Sequence, residues 1–122
     1  MGSQLGGQGV DPVGAGNGLH LLQRLFKGGG LPAQAAHRFI AAQAADELLN
    51  VAGVTASLVI YPMGNGDVFI SARSIGELNV QLVMEALGGG GSRSSAAVQL
   101  HDVSVAQAVQ MARAAIDDNL EN

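Results

Sequence analysis

The sequence predicts an α/β fold of the α+β kind, a small mixed sheet with helices packed on it. Three observations carry this. Apolar residues recur at helical spacing in three segments, β-branched apolar runs fill the gaps between them, and turn-forming residues separate the two kinds. Their order is α-β-β-α-β-α, following a glycine-rich N-terminus.

Residues 1–18 alternate glycine with Ser, Gln, Asn and Pro and offer little to bury, so a flexible segment is expected. Asn17 is placed to cap a short helix over 19–27 through Leu19, Leu22, Leu25 and Phe26, with Lys27 in its last turn and Gly28 as a stop. Gly28-Gly29-Gly30-Leu31-Pro32 breaks the chain again, dividing a flexible 1–32 from a folded unit over 33–122.

Within that unit, Phe39, Ile40, Ala44, Leu48 and Leu49 form one side of an amphipathic helix from Ala33 to Asn50. Ala56 to Tyr61 and Val68 to Ser74 are strand-like and flank Gly64-Asn65-Gly66-Asp67, which predicts a hairpin. Asn79 to Leu87 puts Val80, Val83, Met84 and Leu87 on one helical face, and the glycines at 88–91 end that helix. Ser95 to Leu100 is a third strand. Ser104 and Gln107 form a capping box for a last helix whose stripe is Val105, Ala108, Val109, Ala112 and Ile116, reaching about Leu120.

Composition narrows the function. With 122 residues the chain makes one modest core, and with no cysteine it has neither a disulfide framework nor a thiolate metal site, so reducing cytoplasm is the expected compartment. A formal net charge of −4 opposes duplex binding driven by a basic face. No apolar run approaches the roughly 20 residues needed to span a bilayer. The three histidines, His20, His37 and His101, are far apart in sequence, and no pair has metal-ligand spacing.

The chemically suggestive stretch is Ser71-Ala72-Arg73-Ser74, then Asn79-Val80-Gln81, then Gly88-Gly89-Gly90-Gly91 running into Ser92-Arg93. Bare glycine N–H groups and an upstream arginine are able to converge on one anion. The glycines equally serve as a helix stop, and Gly-Gly-Gly-Gly-Ser is also a flexible linker unit. Arg73 alone reads as a solvated strand-end charge paired with Glu77 or Asp67, and Arg93 as a solubilising one. His37 and Arg38 belong on the polar side of the first helix. His101-Asp102 suggests a general base but falls just before a helix cap, where a turn is the simpler reading. Asp117, Asp118 and Glu121 form an acidic end at the unfavourable pole of a helix.

The run VFISARSIGELNVQLVMEALGGGGSRSSAAVQL, with AAQAADELLNVAGVTASLVI before it, resembles the DHH-associated C-terminal domain of the DHH phosphoesterases, and most of all that of the cyclic-di-AMP phosphodiesterases. The likeness covers Ala33 to Asn122. It implies a substrate-binding domain whose catalytic partner, a separate DHH domain acting in cis or in trans, holds manganese. By resemblance the substrate arginine falls at Arg73, its supporting serines at Ser71 and Ser74, the motif asparagine at Asn79 and the glycine motif at Gly88, Gly89, Gly90 and Gly91. The family motif closes with a histidine where this chain has Ser92, and a hydroxyl donates one hydrogen bond without the charge. No Asp-His-His occurs, so the expectation is a domain without its own catalytic residues and without a cofactor of its own.

The expected ligand is a cyclic dinucleotide or short oligonucleotide. Two other readings stay open: a structural module that has lost binding and self-associates as a homodimer, and a single-strand nucleic-acid binder, for which Tyr61 and three phenylalanines give few stacking surfaces.

Overall fold

In the computed structural model the described residues are 10–15, 19–24 and 34–120, with side chains described from Ala36 onward. They form six strands and three helices: β1 (Val10–Ala15), β2 (Leu19–Arg24), α1 (Gln34–Leu48), β3 (Ala56–Pro62), β4 (Val68–Ser74), α2 (Val80–Ala86), β5 (Gly90–Gly91), β6 (Ser95–Leu100) and α3 (Val105–Leu120). The sheet order is β1-β2-β3-β4-β6-β5. Only β2 and β3 run parallel, and α1 is the crossover that a parallel neighbour requires. The other pairs are antiparallel, so the sheet is mixed, as expected.

Strand alternation splits the core in two. Leu58, Ile60, Val68, Ile70, Ala72, Ala96, Val98 and Leu100 face α2 and α3, where they meet Val80, Val83, Met84, Ala108, Ala112 and Ile116. Val59, Tyr61 and Phe69 face the other way, against Ala41 and Ala45 of α1. Covering both faces explains why β3 is buried at successive positions from Ala56 to Tyr61 rather than at alternating ones. Burial of each large aliphatic side chain here contributes about 1.5–3 kcal/mol. On the α1 face Ser57 is fully buried, and its hydroxyl donates to the Ala45 carbonyl at 2.7 Å. That bond satisfies a buried polar group and ties helix to sheet.

Helices α2 and α3 are both capped at their heads, α3 by the box expected from sequence and α2 by a residue not read as a cap. Asn79 Oδ1 accepts from the Gln81 and Leu82 amides at the head of α2. The Ser104 amide donates to Gln107 Oε1 at 2.8 Å, and the Gln107 amide donates to Ser104 Oγ at 3.0 Å. The two bonds make a reciprocal capping box. His101 and Asp102 lie in the turn before it, Asp102 with a positive φ of 57°.

Two expectations at the N-terminus are corrected. Leu19–Arg24 is a strand and not the start of a helix over 19–27, and Val10–Ala15 is a strand inside the segment expected to be flexible. The free edge of β3 carries unpaired backbone donors and acceptors, and parallel pairing with β2 satisfies them, a demand that side-chain spacing alone does not reveal. Asn17, Lys27, Gly28, Pro32 and Glu121 lie outside the described residues.

The glycine run ends α2, as expected, and also supplies an edge strand that the sequence does not announce. Gly88, at φ 97°, is the left-handed residue after α2, with the Gly88 amide donating to the Glu85 carbonyl and the Gly89 amide to the Met84 carbonyl, a Schellman closure. Gly90 and Gly91 then form the edge strand β5 against Ala97 and Ala96. A Cβ on Gly89 would collide with the Ala97 carbonyl oxygen and lie 2.6 Å from Val98 Cβ, whereas one on Gly90 would meet nothing within 4 Å. Accordingly, Gly89→Ala is expected to destabilise the fold by about 2–3 kcal/mol and Gly90→Ala to change stability by less than about 1 kcal/mol, as measured by guanidinium unfolding.

Candidate functional site

The same alternation decides which polar residues share a surface. Phe69, Ser71 and Arg73 of β4 point to the α1 side, and Ala72 and Ser74 to the other. An open pocket of about 330 Å³ lies there, lined by Arg38 and Ala42 of α1, Phe69, Ser71 and Arg73 of β4, Gly90 and Gly91 of β5, and the start of β6. Gly90 stands opposite Ala97, on this face of the sheet, and the missing side chain keeps the wall low.

Arg73 is fixed on three sides. Its Nε donates to Asp46 Oδ1 of α1 at 2.8 Å, and Nη1 donates to the Ala72 carbonyl at 2.9 Å and to Ser71 Oγ at 3.3 Å. Its side chain is 17% exposed and that of Asp46 62%, so the ion pair is open to solvent. A pair so placed is worth well under about 1 kcal/mol to the fold. Its partner is Asp46 rather than Glu77 or Asp67, because the Arg73 side chain reaches across to α1. The buried Ser71 hydroxyl accepts from Arg73, which leaves its own proton to donate elsewhere.

Four of the residues named by resemblance therefore meet at the pocket: Ser71, Arg73, Gly90 and Gly91. The other five do not line it. Ser74 is buried on the opposite face and its Oγ accepts from the Gly76 amide. Asn79 is occupied as the α2 cap, and Gly88 and Gly89 close that helix. Ser92 is committed to its own turn, with Oγ donating to the Ser95 carbonyl at 3.3 Å and accepting from the Ser95 amide at 3.2 Å. Arg93 reaches back to the Glu77 carbonyl at 3.4 Å.

Sequence reasoning missed Arg38. It lies four residues before Ala42 and eight before Asp46, a spacing that places all three along one side of α1 facing β4. Its Nη2 donates to Gln99 Oε1 at 3.0 Å, and its guanidinium carbon stands 5.6 Å from the Phe69 ring centroid. That separation is within cation–π range. Gln99 Nε2 in turn donates to Asp67 Oδ2 at 3.0 Å, and His101 Nδ1 lies 3.1 Å from Asp67 Oδ1.

The described residues contain no group of three or more His, Cys, Asp or Glu that would hold a metal ion. The manganese that the resemblance implies finds no fitting ligand set among them. Among the described residues no helix is long and apolar enough to cross a membrane.

Residues 21–122 match the DHHA1 domain family. Over 80 residues the chain is 56% identical to a cyclic-di-AMP phosphodiesterase, GdpP, of Geobacillus thermodenitrificans, covering 66% of this chain and 12% of the relative. Over 78 residues it is 54% identical to the cyclic-di-AMP phosphodiesterase PdeA of Listeria monocytogenes, covering 64% of this chain and again 12% of the relative. The chain thus spans about an eighth of the length of the curated relatives it matches. An exopolyphosphatase-related protein from Bacteroides fragilis shares the fold at a TM-score of 0.61 and 18% identity, over 84% of this chain and 29% of the other. A pGpG-specific phosphodiesterase from Vibrio cholerae does so at 0.55 and 18%, over 87% and 35%.

The Gln99 amide, followed by His101, holds the Asp67 carboxyl below its ordinary value of 3.8. The unfolded chain therefore binds that proton more readily than the folded one. The stabilisation is complete above the unfolded value and is lost as pH falls through the folded one. A carboxyl-carbon NMR titration is expected to place the Asp67 midpoint below 3.8, and Asp67→Asn to flatten the part of the stability loss that sets in as pH falls below about 4.

Proposed function

The chain belongs to the DHHA1 domain family, a domain associated with nucleotide phosphodiesterases, and we propose that it binds a nucleotide phosphate in the pocket between α1 and the β4-β6-β5 edge. The observation that carries this reading is the fixed Arg73. Its guanidinium is anchored through Nε and Nη1 with Ser71 beside it, which leaves Nη2 and the Ser71 hydroxyl proton to meet phosphate oxygens. A planar fork held in one orientation is suited to tetrahedral oxyanions in a way that a mobile ammonium is not.

The glycines serve this site by their size. Gly89 lets the end of α2 press against β6, and Gly90 lowers the pocket wall, so ligand approaches the sheet edge over bare backbone. The dipole of α2 contributes no attraction, because it is the carbonyl end of that helix that points toward the run. Positive charge at the site comes from side chains instead.

The ligand we infer is the one named for the relatives, a cyclic dinucleotide or its linear product, with hydrolysis supplied by metal-binding residues other than those described. A discrete pocket fits this better than a track for single strands. Tyr61 and Phe69 are buried, which leaves Phe39 as the exposed ring among the described tyrosine and phenylalanine residues.

Titration of the chain with 5′-pApA and with cyclic-di-AMP, followed by amide chemical shifts, is expected to perturb Ser71, Arg73, Gly90 and Gly91. Arg73→Gln should weaken binding by about tenfold or more, the worth of one or two charge-assisted hydrogen bonds. Gly90→Ala should weaken it while leaving the unfolding midpoint in place. Absence of any Arg73-dependent shift change at millimolar ligand would overturn the reading.

A further inference from the structure

Arg38 is the second arginine at the pocket, and the binding mode above gives it no part. Unlike Arg73 it forms no ion pair among the described residues, so its charge is not cancelled by a neighbouring carboxylate. It is nevertheless aimed. An ionised carboxylate only accepts hydrogen bonds and a guanidinium only donates them, so Gln99, lying between Asp67 and Arg38, satisfies both in a single amide orientation. Nε2 faces Asp67 and Oε1 faces Arg38. Asp67 is itself braced by His101 at 3.1 Å. The Phe69 ring under the guanidinium supplies the remaining contact.

The two cations stand at different points of one groove. Arg38 lies over Phe69, while the Arg73 head group folds back onto Ser71. Residues 69 and 71 are one side-chain repeat apart on the same face of β4, a step of roughly 7 Å along a strand. That is on the scale of adjacent phosphates in a nucleotide strand. A single phosphate at Arg73 leaves Arg38 without a charged partner, and a ligand with two phosphates engages both.

We propose that Arg38, oriented by the Gln99–Asp67 pair, is a second ligand-binding residue that takes the second phosphate of the same ligand. The site thereby prefers dinucleotides to mononucleotides. This rests on the assignment of the first phosphate to Arg73.

The test compares AMP with 5′-pApA on the full chain by calorimetric titration at fixed salt. Arg38→Met, which keeps an apolar stem over Phe69, is expected to weaken pApA about tenfold or more and to leave AMP affinity unchanged. Arg38→Lys should recover part of the loss through its charge. Gln99→Met, which removes the orienting amide and leaves the arginine, should give the same ligand-selective loss in smaller degree. Equal weakening of AMP and pApA by Arg38→Met, or no weakening of either, would overturn the proposal. Arg73→Gln separates the two readings, since it weakens both ligands if Arg73 holds the first phosphate. If it weakens neither, the failure lies with that earlier assignment. If it weakens both while Arg38→Met weakens neither, only the second phosphate is wrong.

Discussion

The strict alternation of side chains along β4 is the constraint on which the rest of the molecule depends. Val68, Ile70 and Ala72 are committed to the core beneath α2 and α3, and this leaves Phe69, Ser71 and Arg73 no choice but the α1 side. A register slip of one residue would bury a guanidinium among aliphatic side chains and expose the core. The apolar half of the strand therefore fixes the position of the polar half, and the site inherits its precision from hydrophobic packing. That α1 covers the same face through Ala41 and Ala45 brings Arg38 to the pocket and Asp46 to Arg73 without any further specification.

Periodicity made much of this legible from sequence. The α1 segment, the hairpin, the strand over 95–100 and the Ser104–Gln107 capping box rest on local rules of spacing and hydrogen bonding, and those rules act here without competition from distant contacts. Where pairing partners lie far along the chain, the local signal failed. β2 looks helical because Leu19, Leu22 and Leu25 suit a helix, yet the open edge of β3 is a nonlocal demand of backbone polar groups. β5 is two glycines, a composition with very low strand propensity, and it is a strand only because β6 lies beside it.

The site shows the same division. Resemblance supplied Ser71 and Arg73, and strand parity explains why Ser74 stands apart from them. Arg38 and Asp46 had no motif to announce them. Arg38's place at the pocket and Asp46's contact with Arg73 depend on how α1 lies across β4, a tertiary fact that a helical wheel leaves open. Ser92 illustrates the converse, since its place in the motif drew attention while its hydroxyl is spent on the Ser92–Ser95 turn.

The Arg73–Asp46 pair has a kinetic consequence. A cation already matched by an anion projects little field beyond a Debye length, and the chain as a whole carries a net charge of −4. The dinucleotide proposed above would therefore meet no long-range attraction from Arg73 or from the chain as a whole, and the unpaired Arg38 would act on it only at short range. Under the proposed binding mode, encounter would proceed near the unassisted rate of ordinary docking, and discrimination among anions would fall to how long each one stays. Because Arg73 is anchored by Asp46, Ser71 and the Ala72 carbonyl beforehand, a phosphate held there as proposed would cost little rotamer entropy, and its residence time would report the fit of the oxyanion itself.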